Sequence, residues 1–264
     1  MQMTFGGRVL AGLSTTFALS VSACGLIAGV GDVRLATDAG TDAAAIPCVK
    51  PHGRPMVRVK ATGGDFCIDT EVVTVADFNE FLIADGEPFD VPPSCDAQKG
   101  KRPARDDKTD AALPARGMLW CYAWAYCKWA GKRLCGAIGG GEVPFDAADP
   151  KSEWTYACAN GKLNYTYPYG SSYDAAACNT ERTRGDPPVP TGTFPRCHGV
   201  AEPFASLFDM SGNTPEYDAY LHGDTVRQRG GGLDARSGAT CAAAEAFSNI
   251  SAPDETSVRC CADP

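Results

Sequence analysis

Phe208-Asp209-Met210-Ser211-Gly212-Asn213-Thr214-Pro215-Glu216-Tyr217 is the least ordinary run in the chain. Ser211-Gly212-Asn213 is turn chemistry, because Gly and Asn tolerate the left-handed backbone that a tight reversal needs. Glu216 follows Asn213 at a distance of three, with aromatic Tyr217 behind it. The Asn213 amide oxygen, the Thr214 carbonyl and the Glu216 carboxylate make an oxygen-only set. Such a set suits a hard cation such as Ca²⁺, although that ion takes about six to eight ligands. The plainer reading is a turn followed by a solvated Glu.

Working outward, other unusual blocks occur in order. They are Trp120-Cys121-Tyr122-Ala123-Trp124-Ala125-Tyr126-Cys127-Lys128-Trp129-Ala130-Gly131-Lys132-Arg133-Leu134, then Glu153-Trp154-Thr155-Tyr156-Ala157-Cys158, then Tyr167-Pro168-Tyr169-Gly170. Arg229-Gly230-Gly231 and Val258-Arg259-Cys260 follow the turn. Together with the turn these six blocks resemble, in register, the signature of the sulfatase-modifying-factor family, which includes formylglycine-generating enzyme. The turn is similar to the family's D-M-x-G-N-V-W-E-W. The resemblance runs from about Cys67 onward. It implies an α+β fold related to C-type lectins, with little repetitive secondary structure and long ordered loops. It also implies a second calcium site where Asn179, Thr180 and Asp186 fall, on a looser match of spacing.

Composition bounds the partners. The chain has 264 residues, 21% of them charged, and a net charge of −8. That is room for one sizeable domain. An acidic balance without a basic run argues against a nucleic-acid partner. Thirteen cysteines point to an oxidising compartment. His52, His198 and His222 are scattered and suggest no metal site.

Residues 1–23 read as an export signal: Arg8 supplies positive charge, and Val9 to Val21 is an apolar run too short to span a bilayer well. Val21-Ser22-Ala23-Cys24 resembles a bacterial lipobox, so Cys24 is the expected lipid anchor; an ordinary cleaved signal is the alternative. Gly25 after Cys24 favours the outer membrane, facing the periplasm or the cell surface. Residues 24–47 are rich in Ala, Gly and Asp and read as a disordered tether. The folded domain is expected over 48–264. Met56-Val57-Arg58-Val59 and Phe66-Cys67-Ile68-Asp69, separated by Gly63-Gly64, read as a hairpin. Glu71 is either a buried partner for an Arg or a surface Glu. Thr74 with Asp77 reads as a helix start. Trp120 to Ala130 is apolar nearly all round and reads as a core helix ending at Gly131. Residues 86–116 read as a long surface loop tied down by Cys95. Residues 135–151 replace the family's short link and have no evident role.

Twelve cysteines remain once Cys24 is set aside. The resemblance implies Cys127–Cys260 and Cys158–Cys241. Cys48–Cys67 and Cys178–Cys197 are expected as local staples. Cys95, Cys121, Cys135 and Cys261 stay unassigned.

The family's enzyme oxidises a target cysteine with copper and O₂. It holds copper through two cysteines just after R-G-G-S, and thiolates are the soft ligands that Cu(I) prefers. Here Gly230 to Thr240 contains no cysteine. Copper is therefore not expected, and the chain reads as a lipid-anchored, non-catalytic module with calcium as its expected ion. Its ligand would be a glycan, a peptide or a protein. The alternative is an oxidoreductase of the formylglycine-generating type, or a variant redox chemistry on that scaffold, with Cys241 and Cys261 as a conceivable thiol pair.

Overall fold

A computed structural model describes residues 48–264, apart from 85–90, 99–102, 104, 142, 144–145, 147–149, 183–185 and 249–254. The expected export signal, Cys24 and the expected tether lie outside the described residues. The described residues belong to one compact unit, Ala45–Pro264.

Strands β1 (Met56–Val59) and β2 (Phe66–Asp69) pair antiparallel, Val59 opposite Phe66, as the Gly63-Gly64 turn predicts. Helix α1 (Val75–Ile83) starts at Thr74. Its hydroxyl accepts from the Asp77 N–H at 3.2 Å, while the Thr74 N–H donates to the Asp77 carboxylate at 2.9 Å, closing a reciprocal cap. Glu71 is half-buried and ion-paired with Arg54. Helix α2 (Trp120–Trp129) is the core helix. It ends in a left-handed cap, with Lys132 N–H donating to the Cys127 carbonyl at 2.7 Å and Gly131 N–H to that of Lys128 at 3.0 Å. Short strand β3 (Arg133–Leu134) and helix α3 (Glu153–Cys158) follow, the latter capped by the Ser152 hydroxyl.

From Gly161 to Phe208 the described backbone holds only short 3-10 turns. Strands β4 (Glu216–His222), β5 (Thr225–Arg229) and β6 (Ala244–Ser248) form a meander. β7 (Ser257–Val258) then joins β4 in parallel, and β8 (Cys260–Ala262) crosses into the other sheet. The two sheets run β1-β2-β8-β3 and β6-β5-β4-β7. Arg259 is the single residue between them. One apolar cluster lies among α1, α2 and β4, around Phe81, Tyr126, Tyr217 and Val258. A second joins Phe66, Ile68, Trp154 and Met210.

Six disulfides tie this sparse framework together. The structure pairs Cys48 with Cys67, Cys127 with Cys260, Cys158 with Cys241 and Cys178 with Cys197. It also joins Cys95 to Cys121 and Cys135 to Cys261, which the sequence left open. Cys127–Cys260 closes 133 residues and Cys135–Cys261 closes 126. Taken singly, such a loop is worth about 5 kcal/mol in the chain-entropy model. So many disulfides place the domain in an oxidising compartment outside the cytoplasm. No helix among the described residues is long and apolar enough to cross a membrane.

Candidate functional site

The region starts from a buried charge. Arg259 is fully buried because both its chain neighbours are strand residues. A buried guanidinium needs a partner for its charge and its five donors. Glu216, the first residue of β4, takes Nε at 2.8 Å and Nη2 at 2.9 Å on its two oxygens. Nη2 also donates to the Phe208 carbonyl at 2.7 Å, and Nη1 to those of Asp69 and Thr70 at 3.2 and 3.3 Å. The Trp154 indole adds a third donor to Glu216 at 2.8 Å. A second buried pair stands nearby: Lys132 Nζ lies 2.6 Å from Asp69 Oδ1, while Asp69 Oδ2 accepts from the Cys260 N–H at 2.9 Å. Burial outweighs these partners and pushes the Asp69 carboxyl up to about 6.

This geometry corrects the expectation for Glu216. Both its oxygens are taken by Arg259 and Trp154, so it neutralises a guanidinium and is not placed to ligate a cation. Of the remaining residues of the two expected calcium sets, Asn179, Thr180 and Asn213 lie together. Asp209, Gly212 and Asn213 have φ of 56°, 72° and 61°. Gly212 is required, since a Cβ there would sit 2.5 Å from the Asn179 carbonyl oxygen. The Asn213 N–H donates to that same carbonyl at 2.8 Å. The Asn213 side-chain oxygen accepts from Asn179 Nδ2 at 2.9 Å and from the Val189 N–H at 3.0 Å. Asn179 Oδ1 and Thr214 Oγ1 are buried without a hydrogen-bond partner. An orphaned buried amide oxygen fits a hard cation. The Thr180 carbonyl already accepts from the Arg236 N–H at 3.0 Å, its hydroxyl is hydrogen-bonded to that of Tyr173 at 2.9 Å, and the half-exposed Asp186 lies 3.6 Å from Arg182. Of the expected ligand set, Asn179 therefore offers a free side-chain oxygen, and Glu216 does not. Asp209 itself is pushed up to about 6 by burial, against a hydrogen bond from the Gly192 N–H and the nearby Arg259 charge.

The chain next to this turn forms an open cleft. Gly212 N–H donates to the Gly230 carbonyl at 3.1 Å, which sets the Gly230–Cys241 segment against the turn. A cleft of about 250 Å³ lies there, bounded by Pro215, Gln228, Gly232, Asp234, Glu245 and Glu255. Gln228 links two of its walls, donating to Glu245 at 2.9 Å and accepting from the Thr256 hydroxyl at 2.6 Å. Neighbouring Arg229 is fully buried, its guanidinium 5.4 Å from the centre of the Trp154 ring. Burial lowers it to about 10, with Asp218 acting in the opposite direction. The cleft offers carboxylates and an amide. It holds no thiol, since Cys241 is buried and bonded to Cys158, and no imidazole. All twelve cysteines of the described region are in disulfides, so the proposed Cys241 and Cys261 pair does not exist and a thiolate copper site has no ligands among the described residues.

Sequence reasoning missed Gln228, Asp234, Glu245 and Glu255. No local signal marks them: the β5–β6 pairing sets Gln228 opposite Glu245, and the parallel β4–β7 contact brings Glu255 in.

The fold is similar to PvdO from Pseudomonas aeruginosa, with 17% identity and a TM-score of 0.53 over 83% of this chain and 92% of that one. It is also similar to Treponema denticola variable protein 1, with 14% identity and a TM-score of 0.52 over 82% and 99%. Among curated proteins, none matches. These structural likenesses concern the fold alone. The model of the sulfatase-modifying factor enzyme 1-like domain matches residues 26–262, which contain the turn, the buried Glu216–Arg259 pair and the cleft beside them, and the chain belongs to that family.

Proposed function

We propose that the protein is a non-catalytic recognition module on the sulfatase-modifying-factor scaffold, held at the cell envelope by a lipid on Cys24. The supporting observation is the segment after Arg229-Gly230-Gly231: it carries no thiol, and the next cysteine, Cys241, is locked to Cys158. Cysteine oxidation by copper needs a thiolate pair at that place. The carboxylate-lined cleft is the surface this reading assigns to a glycan, peptide or protein ligand. A calcium ion held through Asn179 would supply stability, not chemistry.

Anaerobic Cu(I) titration and oxygen uptake with a cysteine-containing peptide test the reading. Neither stoichiometric copper nor turnover is expected. Bound copper together with peptide oxidation would establish the redox alternative instead. The anchor has its own test: Cys24→Ala moves the protein from the membrane to the soluble fraction, and a variant that still pellets with membranes contradicts lipidation.

A further inference from the structure

A second cleft, of about 360 Å³, opens between α2 and the segment that follows β3. It shares no lining residue with the carboxylate cleft. Its volume falls at the lower end of the roughly 300–1,000 Å³ typical of small-ligand sites.

The two long walls are apolar. Trp120, Trp124, Ala137 and Ala219 line them. Trp120 is buried and its indole N–H is spent on the Asp218 carbonyl at 2.7 Å, so it offers carbon surface only. Trp124, one turn further along α2, is half-buried and presents the accessible ring. On the rim, no atom of the described residues outside the adjoining backbone lies within 4 Å of where a side chain would begin at Gly140 or Gly141.

One end is polar. Arg133 donates through Nε and Nη2 to a single oxygen, Oδ1, of Asp263, at 3.1 and 2.8 Å. Its other donors go to Glu153 and to the Leu134 carbonyl. Among the described residues nothing donates to Asp263 Oδ2, and that side chain is 87% exposed. Lys128 Nζ lies 5.6 Å from the centre of the Trp124 ring. Among the described residues Arg133 alone is paired with both Glu153 and Asp263, so these three groups carry one negative charge in excess.

These features select a ligand with one apolar face and hydroxyl donors at its edge. A wholly apolar ligand would cover Asp263 without giving it a donor, and a buried unpaired carboxylate oxygen is costly. An anionic ligand meets an end that already has one carboxylate in excess. We infer that this cleft binds a neutral pyranose unit of a glycan, its C–H face stacked on Trp124 and a hydroxyl donating to Asp263 Oδ2. Half-exposed indoles suit such a contact, having an apolar body beside a wet edge. The inference stands on a different cavity from the proposed recognition cleft and does not depend on it.

Saturation-transfer NMR tests it with the intact protein and the methyl pyranosides of glucose, galactose, mannose and N-acetylglucosamine. At least one should receive saturation, strongest on the ring protons of one face. Trp124→Ala and Asp263→Ala should each weaken its Kd at least tenfold. Trp124→Tyr should restore part of the binding, and Leu163→Ala, an exposed residue elsewhere, should leave it unchanged. Far-ultraviolet circular dichroism establishes that each variant is folded, and the Tyr variant carries the test if the Ala variant is not. Absence of transfer to every sugar overturns the inference, as does binding that survives in folded Trp124→Ala or Asp263→Ala.

Discussion

The turn at 208–217 and the segment at 230–241 touch, yet they are built on opposite terms. In the turn, Asp209, Met210, Ser211, Asn213, Thr214, Glu216 and Tyr217 are all buried. Its charged group faces a guanidinium, and its reversal is locked by backbone bonds to Asn179 and Gly230. In the neighbouring segment Asp234, Arg236, Ser237 and Gly238 face solvent. Gly230, Leu233, Ala239 and Cys241 anchor it in the interior. The contrast separates two duties. The buried turn joins two sheets that are too small to stand alone, and the open segment is free to carry whatever chemistry the surface needs. A family signature concentrated in the first region therefore reports the scaffold and leaves activity to the second.

Breaking the buried side should have the largest effect. Glu216→Ala strands the Arg259 guanidinium, and removing one partner of a buried pair costs about 3–5 kcal/mol. Urea denaturation should show that loss equally in Ca²⁺ and in EDTA. A loss confined to Ca²⁺ would return Glu216 to the role of cation ligand.

A smaller effect, of opposite sign, is expected at Asp209. Its carboxyl is raised from 3.8 to about 6 by burial. A raised acid contributes stability that is present below pH 4 and lost as pH rises through 6. Asp209→Asn keeps an acceptor for the Gly192 N–H and suits a positive φ. The variant should match the parent near pH 4 and exceed it above pH 7, by up to about 3 kcal/mol at 1.36 kcal/mol per pKa unit. Thermal melts at the two pH values check this; a variant less stable at pH 7 would mean that the Asp209 charge is needed beside Arg259.

The smallest effect belongs to the open segment. Asp234→Asn and Glu245→Gln, both at exposed positions, should leave the denaturation midpoint where it is. A drop approaching that of Glu216→Ala would erase the distinction between the two regions.

Much of the scaffold is legible along the chain because its signals are local. Gly63-Gly64 between two alternating runs announces the β1–β2 hairpin. Thr74 with Asp77 announces α1, and the all-round apolarity of 120–129 announces a core helix. Glu71 was divided between two readings, and the nearby Arg54 decides for an ion pair. The site was less legible. Glu216 looked like a cation ligand because its partner, Arg259, lies 43 residues away and no spacing rule joins them. The cleft carboxylates come from three separate stretches. The run 135–151 gave no sign that Gly140 and Gly141 border an indole-walled cavity.

By itself the sequence determined the family scaffold, the absence of cysteine between Gly230 and Thr240, and the core helix over 120–129. These depend on residue identity and short-range backbone preference. Only the tertiary structure decided that Glu216 serves Arg259, that Cys261 is bonded to Cys135, and that Asp234, Glu245 and Glu255 share one cleft. Those outcomes depend on the crossing from β7 to β8, the parallel β4–β7 pairing and the β5–β6 pairing, contacts whose closure no local signal encodes.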